Sequence, residues 1–228
     1  LANTFSIIGA LSTFIIIYYS IFIANFKKYS WGYYSLILII LLNPMITIMS
    51  NRYMPDLMGL AIFVTSFYFL THKEIKKKYW GGFLYGLLLG TRLSYFPLLI
   101  IPYIIVFNKK NFKESLLLVC VSLLGCLLWL LPMTWLTGFQ NLIYLAQNQT
   151  TGHFNDYGGT IFTEGNWTNR LLYFFHTIWS DGLGAYWKGR SSITVLLTST
   201  LIPILFFTCA WIKKNLFKNQ KIMILLFS

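Results

Sequence analysis

An all-α, polytopic transmembrane bundle is the fold class this sequence predicts, and three observations predict it. Of its 228 residues 57% are hydrophobic and 11% charged, and the mean hydropathy is +0.63, which leaves too little polar surface to coat a soluble globule of this size. Runs of Leu, Ile, Phe and Tyr recur at lengths that suit a hydrocarbon layer of roughly 30 Å, which takes about 20 helical residues and fewer where a helix is packed inside a bundle. Between those runs the lysines gather in four gaps: Lys27-Lys28, Lys73 to Lys78, Lys109 to Lys113 and Lys213 to Lys221. Tracing the chain from gap to gap puts all four on one side of the membrane. That side is read as cytoplasmic, because short cytoplasmic loops carry the excess of Lys and Arg.

The elements follow in order. Thr4 to Phe26 runs inward and ends at Lys27-Lys28; Tyr33 to Met49 returns outward, Ser50 to Asp56 forms an external connection, and Leu57 to Thr71 descends to the second lysine cluster. Tyr79 to Phe107 has 29 residues with lysines beyond both ends, so one straight span would leave Lys109 and Lys110 on the wrong side. Two short helices resolve this. Trp80 to Gly90 rises and Leu93 to Phe107 falls, making a hairpin over 80–107 with Gly90-Thr91-Arg92 at the outer turn and Pro97 and Pro102 loosening the descent. Short or broken helices of this kind are tolerated where they pack on protein or line a wet cavity. Leu116 to Leu136 crosses outward and Ile193 to Ile212 returns, which brings the total to about seven spans. The organisation is therefore 1–137 as helices with short loops, 138–190 as one long extracytoplasmic loop, and 191–228 as a helix, a cytoplasmic loop and the start of a further span.

The loop Gly138 to Arg190 has 53 residues, far beyond the usual connection of about 4 to 6 residues, and loops that long are commonly functional. Within it Asn141 to Asn148 and Arg170 to Trp179 read as amphipathic surface helices. Trp167, Trp179, Tyr186 and Trp187 suit the headgroup layer, where amphipathic rings are enriched. The chain begins at Leu1 without Met and ends at Ser228, seven residues into a new apolar run, and so reads as an excerpt of a longer protein.

The net charge of +12 invites a nucleic-acid reading, but here charge is sorted by topology. Thirteen lysines against Glu74 and Glu114 give the cytoplasmic side +11, whereas Arg52, Arg92, Arg170, Lys188 and Arg190 against Asp56, Asp156, Glu164 and Asp181 give the opposite side +1. No nucleic-acid partner is expected. Cys120, Cys126 and Cys209 sit inside apolar runs, where a thiol behaves as a small hydrophobe.

Charges near the outer surface form a short list of candidates. Arg52 and Asp56 stand four residues apart at the outer end of two spans. They read either as an interfacial ion pair that ends the helices or as a site in which Asp56 binds a cation or orients a basic loop while Arg52 faces a phosphate. Arg92 lies inside what hydropathy alone calls a transmembrane run. It is either a structural ion-pair partner or a guanidinium placed to grip a lipid-linked phosphate, which Arg does better than Lys. In the loop, His153 and Asp156 precede a Gly pair and suit hydrogen-bonding or acid–base contact with sugar hydroxyls. A lone His with one Asp falls short of the three or four ligands zinc needs, so no metal is assigned. Asp181 and Arg190 bracket turn glycines and aromatics, which read as an interfacial belt or as a platform for a sugar or isoprenoid.

Four stretches together resemble the bacterial integral-membrane glycosyltransferases of the GT-C superfamily, related to the dolichyl-phosphate-mannose-protein mannosyltransferases. They are Asn43-Pro44 with Ser50 to Gly59, Gly86 to Pro97 (GLLLGTRLSYFP), His153 to Thr160 (HFNDYGGT) and Ser180 to Arg190 (SDGLGAYWKGR). The resemblance implies an inner-membrane enzyme that transfers a sugar from a polyprenyl-phosphate donor to an extracytoplasmic acceptor with inversion. It implies a general-base aspartate in an external loop upstream of Leu1. It also implies that Asp56 sits near the donor phosphate, with Arg52 and Arg92 as basic neighbours. A divalent cation is compatible with it, and no cofactor is fixed. A cell-envelope polysaccharide polymerase or ligase is the alternative, and a transporter or lipid flippase the third reading, although the paired broken helices common in transporters are not evident.

Overall fold

Ala2 to Ala24 contains neither charge nor proline and forms α1, a helix of 23 residues. The computed structural model describes residues 2–43, 46, 49–50, 55–107, 112–152, 164–176 and 203–204. Among them every regular element is helical. After α1 come α2 (Trp31–Leu42), α3 (Asp56–Leu70), α4 (Ile75–Thr91), two 3₁₀ turns (Leu93–Tyr95 and Pro97–Leu99), α5 (Ile100–Val106), α6 (Phe112–Thr137), α7 (Phe139–Thr151) and α8 (Trp167–His176). Two compact units are formed, one from 1–129 with 200–228 and one from 130–199.

Local chemistry sets the boundaries. Ser30 caps α2, its hydroxyl accepting from the Tyr33 amide at 3.3 Å. That helix stops at Leu42 with Asn43 extended at φ −66°, ψ 116°, as expected of a residue preceding proline. The single run expected from Tyr33 to Met49 is thus interrupted. At α4 the helix begins at Ile75 and takes Lys76, Lys77 and Lys78 into its first turn. Lys77 there donates to Glu74 at 2.9 Å and holds that exposed carboxyl below its usual range. Beyond Arg92 the chain descends through 3₁₀ turns and a seven-residue helix rather than one helix from Leu93.

Packing in the first unit fixes helix directions. Tyr19 and Phe22 of α1 meet Tyr68 of α3, and Ile16 clusters with Leu57 and Ala61, so α1 and α3 run parallel. Phe26 lies against Gly32 while Ile16 clusters with Ile40, so α2 is antiparallel to α1. α4 is antiparallel to α3: Gly81 faces Leu70 and Ser66, whereas Arg92 faces Gly59. On its other side α4 carries Gly82, Gly86 and Gly90 four residues apart, which places them on one face. Gly82 meets Leu118 and Ser122, Gly86 meets Ser122 and Cys126, and Gly90 meets Trp129, so α6 runs parallel to α4. Gly125 in turn abuts the Phe83 carbonyl. Side-chain bonds tie these contacts: Ser66 to the Gly81 carbonyl at 2.8 Å, Trp129 Nε1 to the Gly86 carbonyl at 3.1 Å, and Tyr103 with Ser122 at 3.0 Å. Phe67, Leu70, Leu88, Leu99 and Leu118 are fully buried in the core between them.

Two helices, Thr4–Ala24 within α1 and α6, are long and apolar enough to cross a membrane. Only 22% and 11% of their apolar windows are buried. The core helix of a soluble protein would be mostly covered, whereas Ile7, Leu11, Phe14, Leu124 and Leu128 lie exposed, an extent of open apolar surface that calls for an apolar surrounding.

In the second unit Gly138, at φ +79°, ends α6, and α7 follows it directly. α8 is capped by Asn166, whose side chain accepts from the Thr168 amide at 2.9 Å. Arg170 lies over the Trp167 ring at 4.9 Å, and Leu171, Leu172, Phe174 and Phe175 are exposed.

Because a Cβ on Gly86 would fall on the Ser122 carbonyl, Gly86→Leu is expected to destabilise the folded protein by about 2 kcal/mol or more, read as a fall in unfolding midpoint in detergent. Gly165→Ala, which meets nothing within 4 Å, should stay within about 0.5 kcal/mol of the parent.

Candidate functional site

The helix directions just described sort the charges of the first unit. Lys27 and Lys28 follow the C-terminus of α1, Lys73 follows that of α3, Lys76 to Lys78 open α4 and Lys113 opens α6, so all seven stand at one end. Asp56 and Arg92 stand at the other.

Asp56 is the first residue of α3, where a carboxylate faces the positive end of the helix dipole. Arg92 terminates α4 in an extended conformation, φ −155° and ψ 95°. Its amide still donates to Leu88 at 2.9 Å, and its carbonyl accepts from Tyr95 at 3.2 Å to start the 3₁₀ turn. Antiparallel packing of α3 and α4 brings these two termini together, and Nη2 of Arg92 meets Oδ1 of Asp56 at 2.7 Å. The carboxylate side chain is 18% exposed and the guanidinium 45%. Even a bidentate pairing would occupy two of the five guanidinium N–H donors, so this half-open arginine retains donors for a second oxyanion.

Gly59 makes the approach possible. A Cβ at Gly59 would come within 2.7 Å of the Arg92 Cβ and 3.3 Å of the Tyr95 ring. Tyr95 in turn packs beside Phe63 with ring centres 5.9 Å apart. Next to the ion pair lies a pocket of about 120 Å³ lined by Ile46, Met49, Leu57, Leu60, Asp56 and Tyr95. The site is thus an anion-capable guanidinium beside a small, mostly apolar hollow. Such a pairing of surfaces suits an amphipathic anion.

Of the residues singled out from sequence, Asp56 and Arg92 come together here. Arg52, His153, Asp156, Asp181 and Arg190 lie outside the described residues, as do the run from Ile193 to Ile212, apart from residues 203–204, and the terminal stretch from Ile222. Among the described residues no three His, Cys, Asp or Glu side chains converge to hold a metal. Gly59 and Tyr95 are the participants that sequence reasoning missed. A signal existed for both: Gly59 is three residues from Asp56 on a helix, and Tyr95 is three from Arg92 in a 3₁₀ turn, whose period of three brings such positions into line. No protein-family model, curated protein or solved structure matches the chain.

A double-mutant cycle on Asp56→Asn and Arg92→Gln, followed by unfolding in detergent, is expected to give a coupling of about 0.5–1 kcal/mol that shrinks as salt rises, the guanidinium being partly solvated. Gly59→Val should reduce that coupling towards zero while leaving both charges in place, since the added carbons displace Arg92.

Proposed function

We propose that the chain belongs to an inner-membrane glycosyltransferase that takes a sugar from a polyprenyl-phosphate donor and passes it, with inversion, to an acceptor on the extracytoplasmic face. In this reading about seven helices cross the bilayer. The lysine-bearing end faces the cytoplasm, and 138–190 form a long extracytoplasmic loop. What carries it is the Arg92–Asp56 pair: an arginine held by a carboxylate at 2.7 Å, at the end of the first unit opposite its lysines, beside an apolar hollow.

The chemistry follows from those groups. A polyprenyl-phosphate sugar offers an anionic head joined to an apolar tail, and the leaving group of transfer is the lipid phosphate. As the glycosidic bond breaks, charge builds on that phosphate. A guanidinium already fixed beside it lowers the barrier without reorganising. Asp56 in this scheme orients Arg92 and sits near the donor phosphate. Arg52 is a second cation near the same phosphate, and His153, Asp156, Asp181 and Arg190 are candidates for holding sugar and acceptor. A divalent cation at Asp56 would fit the same chemistry.

In the full-length enzyme, Arg92→Ala is expected to lower transfer from a polyprenyl-phosphate sugar by about 10²–10³-fold at unchanged protein level, with Arg92→Lys intermediate because a point charge replaces a fork. Unchanged turnover in Arg92→Ala refutes the role. For sidedness, single cysteines at Lys73 and Ser94, in a background lacking native cysteines, should react with an impermeant maleimide from opposite sides, Ser94→Cys from outside intact cells and Lys73→Cys only after permeabilisation.

A further inference from the structure

We infer that the lysine end of the first unit is a binding surface for anionic phospholipid headgroups, holding them in preference to zwitterionic ones. The inference rests on the membrane part of the reading above and is independent of the transferase chemistry.

Three separately encoded lysine groups, Lys27-Lys28, Lys73 with Lys76 to Lys78, and Lys113, are brought to one end by the alternation of α1, α3, α4 and α6. Of these seven, Lys77 alone is ion-paired among the described residues. α4 and α6 present their N-termini beside Lys76 to Lys78 and Lys113, where the positive dipole ends add to the lysine charge, whereas Lys27, Lys28 and Lys73 stand beside the C-termini of α1 and α3. Three lysines in the first turn of α4 outnumber its one neighbouring acid, Glu74 at the N-cap, and are the opposite of what helix stability favours; with Glu114 in the first turn of α6 counted too, this end keeps seven lysines against two carboxylates. A bound anion at this end removes the conflict.

The kind of anion is argued from what surrounds the lysines. Tyr29, Trp31, Trp80 and Phe112 stand exposed at the same end, and the Lys28 ammonium lies 4.7 Å over the Tyr29 ring. Trp31 is 78% exposed and Trp80 62%. Large rings bordering a basic rim, with the open apolar flank of α1 continuing away from them, form the pattern of a headgroup layer, where rings sit between acyl chains and water and lysines reach the phosphates. A nucleic acid would need a polar surface around its basic stripe, and this one is edged by exposed Leu, Ile and Phe.

The test is lipid retention and stabilisation of the purified full-length protein, with phosphatidylglycerol and phosphatidylcholine as probes. Delipidated protein in neutral detergent is titrated with each lipid, and bound lipid is counted by native mass spectrometry alongside the unfolding midpoint. Phosphatidylglycerol is expected to bind at least about tenfold more tightly, with the preference weakening steeply between low salt and about 0.5 M salt. Replacing Lys76, Lys77 and Lys78 together by Gln should lower the preference by about tenfold or more, whereas Ser94→Gln, an exposed position at the opposite end, should leave it unchanged. Equal binding of the two lipids, or a preference that ignores salt, overturns the proposal in the parent protein, whatever becomes of the variants. A preference that survives the triple substitution and is lost in Arg92→Gln overturns it as well, by moving the anion site to the other end. Protein that stays monodisperse without detergent and binds neither lipid would overturn the membrane reading itself, a result distinct from loss of the lipid preference.

Discussion

Close backbone approach along α4 is the constraint on which the first unit depends. Its glycines let α3 come against one side and α6 against the other, so near that a Cβ on Gly81 would be 2.7 Å from the Leu70 amide nitrogen. Apolar side chains alone discriminate poorly between helix partners when the surroundings are themselves apolar, and close van der Waals contact with interhelical hydrogen bonds must decide. Both are present. Gly86 and Gly125 bring two helix backbones together, and the Gly86 carbonyl, beyond its own helix, accepts from Trp129. Because Gly82, Gly86 and Gly90 pair in register with α6 from Leu118 to Trp129, the contact also dictates direction. Direction then dictates which charges share an end.

Seen this way, the Asp56–Arg92 pair is a consequence of packing as much as a feature of two residues. Neither terminus would meet the other if α3 and α4 were parallel, and Gly59 is what allows Arg92 to sit against the first turns of α3. Termination of α4 at Arg92 is equally local: an extended residue there, followed by a 3₁₀ turn and Pro97, turns the chain back without a long loop. A short, broken descending segment is a weak helix by itself, and it is held by the Tyr85–Phe96 stack with rings parallel to 2° at 4.7 Å, and by Tyr103.

Much of this was legible in the sequence, and the misses have physical reasons. Composition and the uncharged runs pointed to helices with apolar exteriors, which α1 and α6 are. The clash of lysines at both ends of Tyr79 to Phe107 pointed to a turn, and the chain does turn at Arg92. Hydropathy misjudged where α4 begins, because it counts three lysines as loop while lysine is a good helix former. It passed over the break at Asn43, where Pro44 restricts the preceding residue and not the apolar pattern. The Gly82-x-x-x-Gly86-x-x-x-Gly90 ladder was in plain sight and carries its own mechanism, yet only Gly90 was read, as part of the outer turn. Tyr95 was invisible to helical periodicity because its alignment with Arg92 is a 3₁₀ one.

The two ends of the first unit treat positive charge in opposite ways, and that contrast bears on what each can bind. Lysines on flexible stems, mostly without acidic partners, form a diffuse field that attracts many phosphates weakly and is screened by salt. Arg92 is one cation, anchored through Cβ against Gly59 and through its head on Asp56. A free arginine must lose its rotamer freedom to grip a ligand, whereas one already held by a carboxylate has lost most of it during folding, so exchanging or adding an oxyanion partner takes little further ordering. The carboxylate also keeps the resting site neutral, which limits the cost of leaving a guanidinium near apolar surroundings when no ligand is bound. The paired arginine therefore suits a single oxyanion, and the lysine rim suits a surface of many.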